Sequence, residues 1–275
     1  MESSPGAVPI IRRARGYRLY DHRGARYLDL SRDGGGALLG HRPGTTVALM
    51  KGVLSQGLAG AVPSVWEARL VRLIASLFPS YGAVRLFSSR ARACEAVSRF
   101  LGMRVEPGDL HDPAIHEAPR GEARASLWRP FLDTEPDPSA RRPLLPVLPF
   151  SICGAPAPVC FPEEPALDPH SDPLPGVLLA GAYSALTQLA GAASRPIEVS
   201  ARAGKALDGA AGWARRGPYV RATFPAADYP RVFSEFLRAG VLLSPGYPGP
   251  SILPGECSPG ETRLLVELFT SIPGG

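Results

Sequence analysis

The chain is 275 residues long, with a formal net charge of +5, a pI near 9.2, 45% hydrophobic residues and a mean hydropathy of +0.01. That length carries one large domain or two moderate ones and excludes a disulfide mini-protein or a coiled coil, and no run approaches the roughly 18 apolar residues of a membrane-spanning helix. The 30 basic residues are interleaved with 25 acids and form no nucleic-acid motif, so neither a membrane nor a nucleic acid is expected as a partner.

Taken in chain order, Arg18-Leu-Tyr-Asp-His-Arg-Gly-Ala-Arg-Tyr-Leu-Asp-Leu30 sets two apolar and aromatic runs about an Asp-His-Arg-Gly turn. This predicts a β-hairpin with Gly24 at positive φ. Apolar residues at 47, 50, 53 and 54 predict a helix over 45–56. Ser64 followed by Glu67 has the spacing of a capping box ahead of a broad apolar stripe at 66, 70, 71, 73, 74, 77 and 78, ended by Pro79. Residues 83–87 read as a strand, followed by Ser88-Ser89 and a helix over 91–101. Strand, small polar turn, helix is the local order of an α/β ligand site.

From Pro130 to Pro175, 13 of 46 residues are proline, which predicts loop or linker. Only 143–161 is apolar enough to bury, as short edge strands. Order returns with a small-residue helix over 177–193, then Pro196-Ile-Glu-Val, a helix over 200–212 and a strand at 219–224. A helix over 229–239 stops at Gly240, a strand follows at 241–244, and the last helix starts after Ser258-Pro259 with Glu261 in its first turn.

The chemistry-bearing residues are sparse. The N-terminus shows no basic region followed by an apolar run. Cys94, Cys153, Cys160 and Cys257 match no common zinc spacing, so a cytoplasmic protein with reduced thiols is expected. His111, Asp112, His116 and Glu117 invite a metal, but Pro113 breaks any helical face between the histidines and a polar loop is expected. Ser64 and Ser89 have no paired His and Asp for nucleophilic hydrolysis. Of the 30 basic residues only Lys51 and Lys205 are lysines.

Four segments in order carry a resemblance: Gly16-Tyr-Arg-Leu-Tyr-Asp21-His-Arg-Gly24-Ala-Arg-Tyr-Leu-Asp29, Leu38-Leu-Gly40-His41, Phe87-Ser-Ser89-Arg-Ala-Arg-Ala93-Cys-Glu95-Ala96, and Phe236-Leu-Arg-Ala-Gly240-Val-Leu-Leu-Ser-Pro245. Together, over roughly residues 10–100 and 177–270, they resemble the class III (subgroup II) pyridoxal-phosphate-dependent aminotransferases, including the glutamate-1-semialdehyde aminomutases. The resemblance implies an α/β chain with a partial PLP-dependent transferase fold of type I. A reduced large α/β domain would be joined to a small α+β domain built from both chain ends. The limits that follow are 1–50 for the N-terminal hairpin segment of the small domain, 51–129 for the reduced large domain, 130–175 for a proline-rich connector and 176–275 for the C-terminal small domain. The resemblance also implies pyridoxal 5'-phosphate as cofactor, its phosphate at the turn Ser89, Arg90, Ala91 and Arg92, where the family carries Gly-Thr. It puts His41 in a loop near a dimer interface and Trp128 near an aromatic that stacks on the cofactor ring; packing roles are expected for both.

The departures from the family bear on function. The family's chemistry needs a lysine amine, which a permanently protonated guanidinium does not replace. Lys51 falls on the early helix, before the phosphate turn. Lys205 falls after the 177–193 helix, whereas the family lysine precedes it. The family's strand-borne Asp-Glu pair is not matched by Asp133-Thr-Glu135 or Glu163-Glu164. The sequence thus resembles a shortened, degenerate aminotransferase whose catalytic middle is replaced by the connector. It is expected to lack transaminase activity and to have a binding or assembly role, as a homodimer or a heterodimer with an intact homologue. Two alternatives are an active aminotransferase or aminomutase completed by Lys205 or a partner's lysine, and an anion or phosphometabolite binder using Arg90 and Arg92.

Overall fold

The computed structural model describes residues 8–41, 43–116, 123–132, 142–166, 169–192 and 201–271. The chain forms two compact units, one from Met1–Arg42 with Ala192–Gly275 and the other from Pro43–Gly191. In chain order the first unit begins with β1 (Ile11–Arg15), β2 (Arg18–Asp21) and β3 (Arg26–Asp29). The second unit holds α1 (Gly44–Ser55), α2 (Val65–Leu77), β4 (Ala83–Phe87), α3 (Arg90–Leu101), β5 (Ser126–Trp128), β6 (Leu144–Pro146), β7 (Ala157–Phe161) and α4 (Gly176–Ala192). The chain then returns to the first unit with α5 (Ala201–Asp208), β8 (Trp213–Arg216), β9 (Tyr219–Ala222), α6 (Tyr229–Arg238), β10 (Val241–Leu242), β11 (Ser251–Ile252) and α7 (Pro259–Thr270). Among the described residues no helix is long and apolar enough to cross a membrane.

In the first unit the expected hairpin forms around Asp21. Its Oδ1 accepts the N–H groups of Arg23 (2.9 Å) and Ala25 (2.8 Å), and Gly24 takes φ +88°. Both are the side-chain and backbone requirements of a tight turn. Parallel pairing of β10 with β3 (Val241 with Leu28, Leu242 with Asp29) gives a sheet of order β1-β2-β3-β10, so both chain ends share one sheet. β8, absent from the sequence reading, pairs with β9 in a second sheet of order β11-β9-β8. The core between these elements is aromatic: Trp213 meets Phe269 edge-on at 4.9 Å and Phe224 at 5.3 Å, with Phe236 at 5.8 Å.

α7 starts with a capping box: Ser258 Oγ accepts the Glu261 N–H (3.2 Å) and Glu261 accepts the Ser258 N–H (2.8 Å). Glu261 also takes two hydrogen bonds from Arg18 in β2, at 2.8 and 2.6 Å, which chiefly hold its carboxyl down at about 2. A carboxyl depressed in the folded state stabilises above its unfolded pKa of 4.5 and loses that contribution as pH falls toward 2. Glu261→Gln is therefore expected to cost about 2 kcal/mol near neutral pH. Urea unfolding on descending pH should show the gap between wild type and variant closing below about pH 4.5; a gap constant with pH would contradict this.

The second unit is built on a four-stranded sheet of order β4-β7-β6-β5, with β5 and β6 parallel and the other pairs antiparallel. α3 lays Ala93, Ala96 and Val97 against Leu127, Leu145, Val159 and Phe161. β6 and β7 are therefore interior strands, which corrects the edge strands expected of a proline-rich stretch. The register explains how proline is accommodated. Leu86 lies opposite Pro158, and its main-chain groups point to the outer side of β4, where its N–H meets Ser171 Oγ (3.1 Å) and its C=O accepts the Asp172 N–H (2.8 Å). At such a pair the β4–β7 ladder calls on no donor from Pro158.

Two further differences concern helices. Ser64 is extended ahead of α2 but makes no side-chain cap hydrogen bond, so the expected capping box is not formed; its Oγ lies instead beside Gly176, where a Cβ would be 3.4 Å away. α4, placed with the C-terminal domain in the sequence reading, belongs to the second unit. Gln188 Nε2 donates to Thr46 Oγ1 of α1 (2.8 Å), Ser184 Oγ lies 3.1 Å from the same hydroxyl, and Tyr183 packs on Trp66 of α2 at 5.8 Å. Gly181 lets the helix approach Phe150 and Met50 where any Cβ would collide.

Candidate functional site

The junction of β4 and α3 brings Ser89, Arg90, Ala91 and Arg92 together. β4 ends with Phe87 buried, and Ser88 and Ser89 then turn outward. Ser89 is extended (φ −162°, ψ 164°) and caps the helix, its Oγ accepting the Arg92 N–H at 3.2 Å. The groups that precede and follow it are already engaged. Asp172 Oδ2 accepts the Ser88 N–H (2.9 Å) and the Ser88 hydroxyl (2.7 Å), and Asp172 Oδ1 accepts Arg92 Nη2 (3.0 Å). Arg92 also pairs with Glu95 one turn along the helix. Burial would push the Asp172 carboxyl up, but the Arg92 and Ser88 hydrogen bonds overcome it and hold it below the usual carboxylate range.

Arg90 faces a second cluster. Arg129 binds Asp112 in a bidentate pair, Nε to Oδ1 at 2.9 Å and Nη2 to Oδ2 at 2.6 Å, with both side chains less than a tenth exposed. Asp112 Oδ1 also accepts the Ala114 N–H (3.0 Å). The carboxyl is lowered because these partners outweigh the upward push of burial. Arg90 is exposed overall, yet desolvation of its guanidinium and the neighbouring Arg129 charge lower it from its ordinary value. The histidines proposed for a metal border this cluster: the Asp112 N–H donates to His116 Nδ1 (3.0 Å) and the two rings lie 5.4 Å apart. Asp112 is thus spent on an ion pair, and among the described residues no group of three or more His, Cys, Asp or Glu stands ready for a metal. Glu117, Asp133, Glu135 and Pro196–Val199 lie outside the described residues.

The remaining candidates have packing roles. His41 Nε2 meets Asp29 Oδ2 at 2.7 Å and its N–H donates to the Gly16 carbonyl, tying the loop to the first sheet. Trp128 meets Phe78 edge-on at 5.2 Å. The four cysteines form no disulfide. Lys51 is exposed on α1, in the same unit as the turn, and Lys205 is exposed near the end of α5, in the unit made by the chain ends.

No protein-family model matches the chain. A Treponema pallidum (strain Nichols) protein, itself uncharacterized, is 29% identical over 288 residues, covering 89% of this chain and 88% of that protein. The glutamate-1-semialdehyde 2,1-aminomutase of Desulfosudis oleivorans is 35% identical over 95 residues, which span 34% of this chain and only 22% of the aminomutase. Among solved structures, the ornithine δ-aminotransferase of Plasmodium falciparum superposes with a TM-score of 0.68 at 12% identity, covering 95% of this chain and 92% of that one. An omega-transaminase from Sphaerobacter thermophilus gives 0.64 at 15% identity over 98% and 91% of the two chains. This chain has the transaminase fold. A PLP-bound transaminase matches it equally well, with a TM-score of 0.67.

The transaminase fold raises pyridoxal phosphate as a cofactor, and the turn at the start of α3 tests the fit. A phosphate held there needs N–H and O–H donors aimed outward and a cation beside them. The Ser88 N–H, the Ser88 hydroxyl and Arg92 are all given to the chain's own Asp172. With these groups taken, Ser88 and Arg92 offer no open donors to a phosphate at this turn. Sequence reasoning missed Asp172 because an acid in a proline-rich stretch carries no local signal; only the pairing of residues 171–172 along β4 delivers it.

Proposed function

We propose that this is a class III aminotransferase-like protein, related to the glutamate-1-semialdehyde aminomutases, that has given up transamination and acts by binding or assembly. It works as a homodimer or as a heterodimer with an intact homologue, in the cytoplasm. The observation that carries this reading is the fate of the two lysines: Lys51 and Lys205 are both solvent-exposed, on helices α1 and α5. A Schiff-base lysine is activated by desolvation or by a neighbouring cation and sits against the group it attacks. The 28 arginines left among the 30 basic residues cannot supply that amine.

The test is direct. Purified protein is mixed with equimolar pyridoxal phosphate, reduced with borohydride and weighed as the intact chain, before and after exposure to a panel of amino donors. No stoichiometric pyridoxyl adduct and no donor-dependent change in the cofactor spectrum are expected. A single adduct abolished by Lys205→Ala, with a spectrum that responds to a donor, establishes an active aminotransferase instead.

A further inference from the structure

Ser171 and Asp172 lie against the outer edge of β4 at Leu86. The Asp172 N–H donates to the Leu86 carbonyl, the Leu86 N–H donates to Ser171 Oγ, and Pro169, Pro173 and Pro175 restrict the backbone around them. This anchoring brings one carboxylate to the first turn of α3, a helix of 12 residues whose amino end carries partial positive charge. There it collects one backbone N–H, one hydroxyl and one guanidinium. These are the donor types that hold a phosphate oxygen, and the Asp172 side chain is only 13% exposed.

We infer that the Asp172 carboxylate is an internal ligand of the Ser88–Arg92 turn, seated where an anion at the start of α3 would be held, and that it keeps phosphate-bearing molecules off this turn. The inference rests on the reading that the turn is not a cofactor cradle, and adds what occupies it. A phosphate oxygen entering beside Asp172 meets a like charge at contact distance. The Arg92 charge is already shared between Asp172 and Glu95. With the carboxylate removed, the Ser88 donors are left without their acceptor and Arg92 keeps only Glu95, which opens the turn to an anion.

Chemical rescue tests this. Thermal unfolding of wild type, Asp172→Ala and Asp172→Ala with Arg92→Ala is followed in chloride and in inorganic phosphate at matched ionic strength. The wild type is expected to be indifferent to phosphate. Asp172→Ala should unfold about 5 °C lower in chloride and regain about half of that loss in about 50 mM phosphate, and the double variant should regain none. Asp172→Asn, which keeps the side-chain volume, is expected to behave as a milder version and serves if the alanine variant does not fold. Stabilisation of the wild type by phosphate, lost in Arg92→Ala, overturns the inference, as does the absence of any phosphate-specific regain in the Asp172 variants. A stoichiometric pyridoxyl adduct on the wild type defeats the preceding functional reading, whereas failure of rescue defeats only the internal-ligand assignment.

Discussion

Arg129→Met is expected to lower the unfolding free energy by about 3–5 kcal/mol, the cost of stranding a buried charge. The Arg129 and Asp112 side chains are 4% and 8% exposed, so water cannot take over the lost partner. The variant should also reverse a pH trend. In the wild type the Asp112 carboxyl is held below its ordinary value, so it stabilises above the usual carboxylate range and loses that contribution as pH falls. Without the Arg129 hydrogen bonds, burial is the dominant influence and pushes the carboxyl up. The variant then binds a proton more readily when folded, and its stability falls as pH rises through the raised value. Urea unfolding across the acid range distinguishes the two slopes. Replacing both partners by apolar residues, Asp112→Leu with Arg129→Met, should recover most of the loss, because no uncompensated charge remains. A single Arg129→Met variant within about 1 kcal/mol of wild type contradicts the burial argument.

Phe161→Ala carries the second large effect, about 3–5 kcal/mol of lost stability. Phe161 closes β7 with no exposed surface, lies 5.0 Å from Phe100 of α3 and pairs across the ladder with Ala83. Its loss leaves a cavity where the sheet and α3 meet. A side chain in a surface connector costs about 0.5 kcal/mol or less on truncation. Equilibrium denaturation therefore decides directly whether residues 144–161 are core or linker, and the interior position of β7 requires the large value.

The proline-rich region shows where sequence reading was limited. Counting prolines argues against helix there, and no helix forms among its described residues before α4. It does not say which strand positions lack a donor requirement, because that depends on pairing with residues some 70 positions away. On its β4 side Pro158 needs no donor, because it faces Leu86 at a pair whose hydrogen bonds point outward. Ser64 with Glu67 and Ser258 with Glu261 have the same capping spacing, yet only the second pair closes. Arg18 also holds Glu261 from β2.

What the sequence determined by itself is local. The Asp21–Gly24 turn, the Ser89 cap of α3, the Gly240 stop of α6 and the amphipathic faces of the helices follow from side-chain hydrogen bonding, backbone freedom and spacing over fewer than about ten residues. The lysine census is equally a property of composition, and it limits the amine chemistry available to this chain whatever its shape. The tertiary structure decided three things that no local rule contains. It assigned α4 to the unit of α1 and α2, through Thr46, Ser184 and Gln188. It turned a proline-rich stretch into two interior strands. It carried Asp172 across 80 residues of sequence to Arg92, pairing a carboxylate with the first turn of α3. Each depends on which distant groups satisfy one another's hydrogen bonds and charges, and that is settled only when the whole chain is packed.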